Sequence, residues 1–557
     1  MFKKRMMRQA DGLATRAKPL ALSISPVLLV LAGGGALAAP TVQLGPDTTL
    51  DYSLTLSYTA STRTEKAARE YLNDLNSDDG TRNFKRGSLL TNRANALAEV
   101  RLKHDNVGAM LRASSFYDRA YRSGNDNDSP LTVNKIGDHD EFTSRTRQLS
   151  GRNSRILDAF VYGNWMLGEE QFVSLKAGRH VLAWGESLFW PNISQGQSPL
   201  DATKFNVPGT EAKEGYLPVG QLSASLTVNP WLTLAGYYQY KWEETQLNPV
   251  GDYFGSDYFG PGAQFFRLAP GTIDALPDHT FRVVNFAGEI KPRDTGQWGL
   301  GSRFRLGETT EVGVYHYRYH DRVGAMFFDF TGATQYSSFK RFGRNASPGS
   351  APYYKLAYFD DIKLTGVSLS TKIGDAVQVG AELSYRDGTP VYLSNGAPAR
   401  GQVTQGNLNF LYILGPSKIA HQTTLMGEVV HQRIEGVDKL TISGGLPGQN
   451  GTFKDFTYDS QTKSSTLLGL GAIFDYPNVF DGWDLATKAI WTQNVDGSAL
   501  SGMGKDDRRL TLGADFKRLG NFTVGLTYVA FLGSPDLPNG RTMTDRDYVS
   551  LSAKYTF

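Results

Sequence analysis

The last ten residues, 548–557, read YVSLSAKYTF and alternate strictly. Val549, Leu551, Ala553, Tyr555 and Phe557 fall on one face; Ser550, Ser552, Lys554 and Thr556 fall on the other. A period of two marks a strand with one apolar face. The pattern recurs. Leu232, Leu234, Gly236, Tyr238, Tyr240 and Trp242 oppose Thr233, Ala235, Tyr237, Gln239, Lys241 and Glu243. Val377, Val379, Ala381, Leu383 and Tyr385 oppose Gln378, Gly380, Glu382, Ser384 and Arg386. Beyond the N-terminal region no apolar run approaches the roughly 20 residues of a membrane helix. With 60 glycines and no cysteine, stability must come from packing and backbone pairing rather than disulfides. A soluble β-protein and a transmembrane β-barrel both fit so far.

The connections separate the two. Turn residues stand near Asn106, Gly168, Asn229, Gly307, Gly374, Pro416, Asn478 and Gly520, where tight hairpins want them. Between the pairs lie long polar stretches: 65–92, 122–154, 186–219, 247–296, 324–361, 392–401, 437–463, 499–506 and 534–544. This strict alternation predicts a transmembrane antiparallel β-barrel of about 18 strands (16–18), with short periplasmic turns and long extracellular loops. In lipid a sheet must close to satisfy its backbone. Aromatics near strand ends (Tyr238, Tyr240, Trp242, Tyr528, Tyr555 and Phe557) suit interfacial girdles. A final strand stopping on Phe557 resembles the assembly signal of bacterial outer-membrane barrels. That implies outer-membrane lipids as surroundings and the barrel-assembly machinery as a partner.

The N-terminus agrees. Lys3, Lys4, Arg5, Arg8, Arg16 and Lys18 precede an apolar run from about Leu20 to Leu31, then Ala36-Leu37-Ala38. This is a signal peptide, residues 1–38, with cleavage expected after Ala38 and the barrel in 39–557. The first eighteen residues hold six of the 58 basic residues and one of the 55 acidic ones, so the remainder carries −2. No nucleic-acid partner is indicated.

Charges on the polar phase should line the lumen: Glu99, Arg101, Arg112, Asp118, Asp158, Lys176, Lys241, Glu382, Arg386, Glu428, Asp515 and Lys517. Their signs balance, which argues against a strongly ion-selective ring; cross-wall pairing is the expectation. There is no G-x-S-x-G elbow, and Ser187 has no evident base, so no enzyme is expected. His316 and His320 share a strand face with Arg318 between them, a poor metal site. DLNSDDG at 74–80 fails as an EF-hand loop, because Asp79 stands at the glycine position and Lys85 at the final acid. GNDNDS at 124–129 reads as a solvated loop. No cofactor and no metal are expected.

Two loops stand out. Residues 247–268 repeat D-Y-F-G, placing Tyr253, Phe254, Tyr258 and Phe259 where a solvated loop has few aromatics. The loop either folds back over the barrel or contacts something apolar. Residues 179–196, RHVLAWGESLFWPNISQG, end the fifth strand and start the third long loop. General porins resemble this layout, with an infolded constriction. Trp184, Phe189, Trp190 and Pro191 then form an apolar wedge near 186–219, with Glu186 and Arg179 as anchors. Arg179 shares the phase of Val173, Leu175 and Ala177, so a bulge near Gly178 is expected to turn it inward.

Several blocks carry a family resemblance: DDGTRNF (78–84), ILDAFVYGN (156–164), GRHVLAWGESLFWPNIS (178–194), PLDATKFNVPGTEAKEGYLP, YYQYKWEETQLNPVGDYFGSDYFGPG (237–262) and LNFLYILGP (408–416). Together they resemble the DUF1302-type proteobacterial outer-membrane β-barrel family. The resemblance implies a periplasmic or lipoprotein partner and an inner-membrane lipid-exporter-type permease, hence traffic of hydrophobic molecules. It supplies no catalytic residues. Two functions follow as expectations: a porin-like channel for a small hydrophobic or amphipathic solute, or a non-conducting outer-membrane scaffold of an envelope lipid-trafficking system.

Overall fold

The computed structural model describes residues 41–267, 283–339, 352–455, 461–498, 500 and 502–557; the expected signal peptide and its cleavage site lie outside them. Eighteen strands form the wall. They are β1 (Thr48–Arg63), β2 (Leu89–His104), β3 (Val107–Asp118), β4 (Arg152–Met166), β5 (Phe172–His180) and β6 (Val219–Asn229). Next come β7 (Leu232–Gln239), β8 (Gln297–Leu306), β9 (Thr310–Tyr319), β10 (Ile362–Ile373), β11 (Val377–Tyr392) and β12 (Pro398–Leu414). The ring ends with β13 (Gln422–Val437), β14 (Ser464–Phe480), β15 (Trp483–Asp496), β16 (Arg508–Arg518), β17 (Phe522–Leu532) and β18 (Tyr548–Thr556). Each pairs antiparallel with the next, and β1 closes on β18 from Thr55↔Thr556 to Arg63↔Tyr548. A short strand, Thr41–Gly45, folds back on the start of β1.

The pleat sorts the side chains. Leu56, Leu111, Val161, Leu300, Leu383 and Leu551 point outward and are exposed, while Thr55, Ser61, Glu382, Ser384 and Ser550 point inward and are buried. An apolar outer belt around a polar interior is the pattern of a membrane-spanning barrel. Tyr58, Tyr117, Tyr238, Tyr240 and Tyr385 are exposed toward the long-loop end; Phe172, Phe480, Tyr555 and Phe557 are exposed toward the other. Trp242 departs from expectation. β7 stops at Gln239, and the Trp242 ring is buried against Tyr358 at 4.9 Å, its Nε1 donating to the Asp321 carbonyl. It belongs to the cap, not to a girdle.

Seven of the eight expected tight turns fall between paired strands. The eighth lies at Asp481–Gly482 instead of Asn478; Asn478 takes φ 53° within β14, where the register with β15 shifts between Tyr476 and Phe480.

At the other end the long connections build their own layer. Ala325–Asp329, Tyr353–Ala357, Val283–Ile290 and Phe265–Arg267 form a four-stranded sheet; Gln335–Tyr336, Leu440–Ser443 and Gly451–Phe453 form a three-stranded one. Pairing and apolar packing thus satisfy loop backbone that would otherwise need water.

Candidate functional site

After β5 the chain turns into the barrel. Irregular backbone at membrane depth is tolerated only where protein satisfies its polar groups, and here two wall carboxylates do so. Glu382 on β11 accepts from the backbone N–H of Glu186, Ser187 (2.7 Å) and Ile193 (2.9 Å). Glu428 on β13 accepts from Leu188 (3.1 Å), Phe189 (2.6 Å) and Trp190 (3.0 Å). β12 satisfies the carbonyls: Asn409 donates to Glu186 O (2.7 Å), Asn407 to Trp190 O (2.9 Å) and Gln405 to Pro191 O (3.1 Å). Tyr317 on β9 donates to Ile193 O (2.7 Å). Gly185, at φ 100°, lies where any Cβ would strike the Glu382 carboxylate.

The aromatics fill the space between these bonds. Trp184 sits inside the barrel between Tyr237 (5.1 Å) and Tyr315 (5.5 Å), and its N–H donates to Gln197. Phe189 lies over Gly469 of β14, where a Cβ would be 2.8 Å from its ring. Phe189 and Trp190 are buried with Met426, Val430, Leu467 and Ile490.

The second half of the loop reaches the opposite wall. Pro208 O accepts from Thr59 (3.1 Å) and Asn206 O from Tyr548 (3.1 Å). Asp201 pairs with Arg155 (3.2 Å), Lys213 with Glu99, and Glu211 with Lys554 (3.2 Å). Glu382 on β11 and Glu99 on β2 stand nine strands apart in a ring of eighteen, so residues 181–218 cross the lumen from wall to wall.

Several expectations need correction. The register of β5 is continuous with both neighbours, so no bulge turns Arg179 inward. Arg179 keeps the outward phase at the loop end of its strand, pairs with Glu243 (2.7 Å) and donates to Pro218 O. A partner carboxylate at the rim removes the penalty that the bulge was invoked to avoid. Glu186 anchors through its backbone N–H and carbonyl and also through its carboxylate, which accepts a hydrogen bond from Ser370 on β10. Lys241 lies beyond β7 at the outer rim, paired with Asp294 (2.8 Å), not in the lumen. Cross-wall pairing holds for Arg112, which bridges Glu99 (2.9 Å) and Asp158 (2.5 Å). It does not hold for Glu382, Glu428 or Arg386, which is bound to Gln195 and Gln405. Arg101 and Lys176 remain exposed on the inward phase, Lys176 lying 5.6 Å from the Phe160 ring.

The D-Y-F-G loop folds back. Tyr253 is fully buried against Phe84 (5.4 Å), Phe254 packs on Phe531 and Tyr548, and Tyr258 and Phe259 join a core with Phe266 and Tyr354. These rings are therefore not a first contact for a solute. The sequence missed the two carboxylate clamps. Their only signal was polar phase, shared with ten other charges.

The family described as "Protein of unknown function (DUF1302)" matches residues 20–557. The chain belongs to that family. No curated protein matches its sequence significantly. Among solved structures, it is similar to OccAB1 of Acinetobacter baumannii (9% identity, 94% of this chain and 99% of that one, TM-score 0.44). A BenF-like porin of Pseudomonas fluorescens (11%, 91% and 98%, 0.41) and the channel DcaP of A. baumannii (10%, 94% and 100%, 0.37) are similar too.

Proposed function

We propose that this DUF1302 protein is an outer-membrane channel or transporter for a small hydrophobic or amphipathic solute, with residues 181–218 as its constriction. The observation that carries the reading is a clamped loop spanning the lumen above an accessible polar vestibule. Arg101, Lys176, Arg303, Lys372 and Gln378 lie on the inward phase toward the short-turn end and are exposed to solvent. The loop brings Trp184, Ile193, Tyr237, Tyr315 and Tyr317 together as a buried apolar cluster inside the lumen, so passage of such a solute requires the loop to shift and open this cluster. The role is binding and passage, not catalysis, in concert with a periplasmic or lipoprotein partner and an inner-membrane permease.

The wall-to-wall crossing also favours a second reading, a non-conducting scaffold. Planar-bilayer recordings of the purified barrel, with solute uptake or export in a deletion strain, separate the two. Conductance steps and a transport phenotype support the channel. A silent barrel and normal transport, together with a mislocalised lipoprotein partner, would sink it.

A further inference from the structure

Three buried carboxylates meet in the cap, none of them on the lumen-crossing loop. Asp78 and Asp79 come from the loop after β1, and Asp257 from the second D-Y-F-G unit. Their exposures are 0%, 4% and 2%, and one oxygen from each lies within 4.8 Å of the other two. Two ligands on opposite sides of a calcium ion, with Ca–O distances of 2.3–2.6 Å, are about 4.6–5.2 Å apart. The spacing therefore suits one hard divalent cation.

A second observation points to a ligand. The Oδ1 atoms of Asp78 and Asp79 are buried and take no hydrogen bond. Such oxygens are costly without a partner. The nearby arginines do not serve them all. Arg82 pairs with Asp78 through its other oxygen (2.6 Å). Arg267 is spent on the carbonyls of Thr132 (3.2 Å) and Val133 (2.7 Å), and Arg546 on that of Gly80 (2.8 Å). Among the described residues, Asp79 and Asp257 form no ion pair. Asp257 accepts from the N–H of Asp79 (2.9 Å) and Gly80 (3.4 Å), and Asp79 from that of Asn134 (2.9 Å). Arg82 is the one cation in ion-pair contact with the three carboxylates among the described residues; Arg267, Arg546 and Lys135 act on them only at longer range and leave the two free oxygens without a partner.

We infer that Asp78, Asp79 and Asp257 form a calcium-class cation site that staples the 74–83 and 252–260 segments of the cap. The EF-hand pattern fails here because the third acid comes from a loop some 180 residues away. The ligands are all hard oxygens, which excludes a soft-metal preference. The site is independent of whether the barrel conducts.

The test is calcium binding to the chelator-stripped full-length barrel in detergent, by equilibrium dialysis with radioactive calcium. One ion per chain is expected, with half-saturation on the order of 10⁻⁴–10⁻³ M or tighter. Calcium should also slow trypsin cleavage of the cap severalfold. Asp79→Asn and Asp257→Asn should each weaken binding at least tenfold. Asp128→Asn, which removes an exposed acid on the far side of Arg82, should not. Absence of saturable binding by the wild-type chain overturns the proposal even if the variants misfold; so does unchanged affinity in both cluster variants.

Discussion

Glu428 shows how far one side chain sets the state of the lumen. It is 1% exposed and is the sole acceptor given to three successive N–H groups. Hydrogen bonds to a charged group are each worth about 1.5–3 kcal/mol, and orphaning a buried donor costs about 1–3 kcal/mol. Glu428→Ala should therefore loosen the loop by about 3–5 kcal/mol, and Glu428→Gln, with one acceptor oxygen left, by roughly half that. Hydrogen exchange at the amides of 188–190 checks this. Acceleration of roughly a hundredfold or more is expected for the alanine variant, and unchanged protection would mean that packing alone holds the loop. Asp507 gives a prediction in pH. It lies in the loop before β16, burial pushes its carboxyl from 3.8 up to about 6, and its Oδ2 accepts from Gly504 N–H (3.0 Å). A raised carboxyl favours the neutral form in the folded state. Its stabilising effect is thus largest at low pH and is lost as pH rises from about 4 through about 6. Proteolysis at 502–507 should become easier across that window. Asp507→Asn, which keeps the acceptor and cannot ionise, should flatten the profile.

The infolded loop behaves as an element separable from the wall. His180 and Val219, at its two ends, are direct cross-strand partners. Replacing residues 183–216 by a short Gly-Ser turn should leave every wall pairing in place. Single-channel conductance should then rise severalfold over the wild type, with the barrel's heat-modifiable mobility retained. A barrel that fails to fold without the loop would make the loop part of the core instead. The sequence foretold this element in part, for a physical reason. Strands register in a local period of two, and hairpins in local turn chemistry, so wall, turns and long loops were all readable within a few residues. The infolding of 184–190 was expected from the loop's place after the fifth strand, a layout that general porins resemble. What held them was not local. Glu382 and Glu428 lie about 190–240 residues from the amides they bind, and phase alone cannot tell a charge paired across the wall from one clamping a loop. Arg179 was misplaced for the same reason. Its phase was right, but Glu243, which makes that phase tolerable, comes from beyond β7. Lys241 and Trp242 show the limit of alternation, which cannot say where a strand stops.

At the scale of the whole molecule, closure depends on β1 and β18, the first and last strands of the wall, finding each other. Until they pair, both edges carry open backbone groups that lipid cannot satisfy. Assembly must therefore protect the last strand until the ring shuts, which separates a role in assembly from a role in stability. Phe557 is the case in point. The residue is 56% exposed on the outward face, its ring touches Tyr555 edge-on at 4.6 Å, and its N–H donates to Leu54 O (3.0 Å). Phe557→Ala keeps the backbone bond and loses one lipid-facing ring, a cost of about 1 kcal/mol or less against the pairing of a closed barrel. If the ring is read by the barrel-assembly machinery, the variant should reach the outer membrane at several-fold lower yield. The molecules that arrive should melt within a few degrees of the wild type. Equal losses in yield and in melting temperature would place Phe557 in the barrel's own energetics and remove the assembly role.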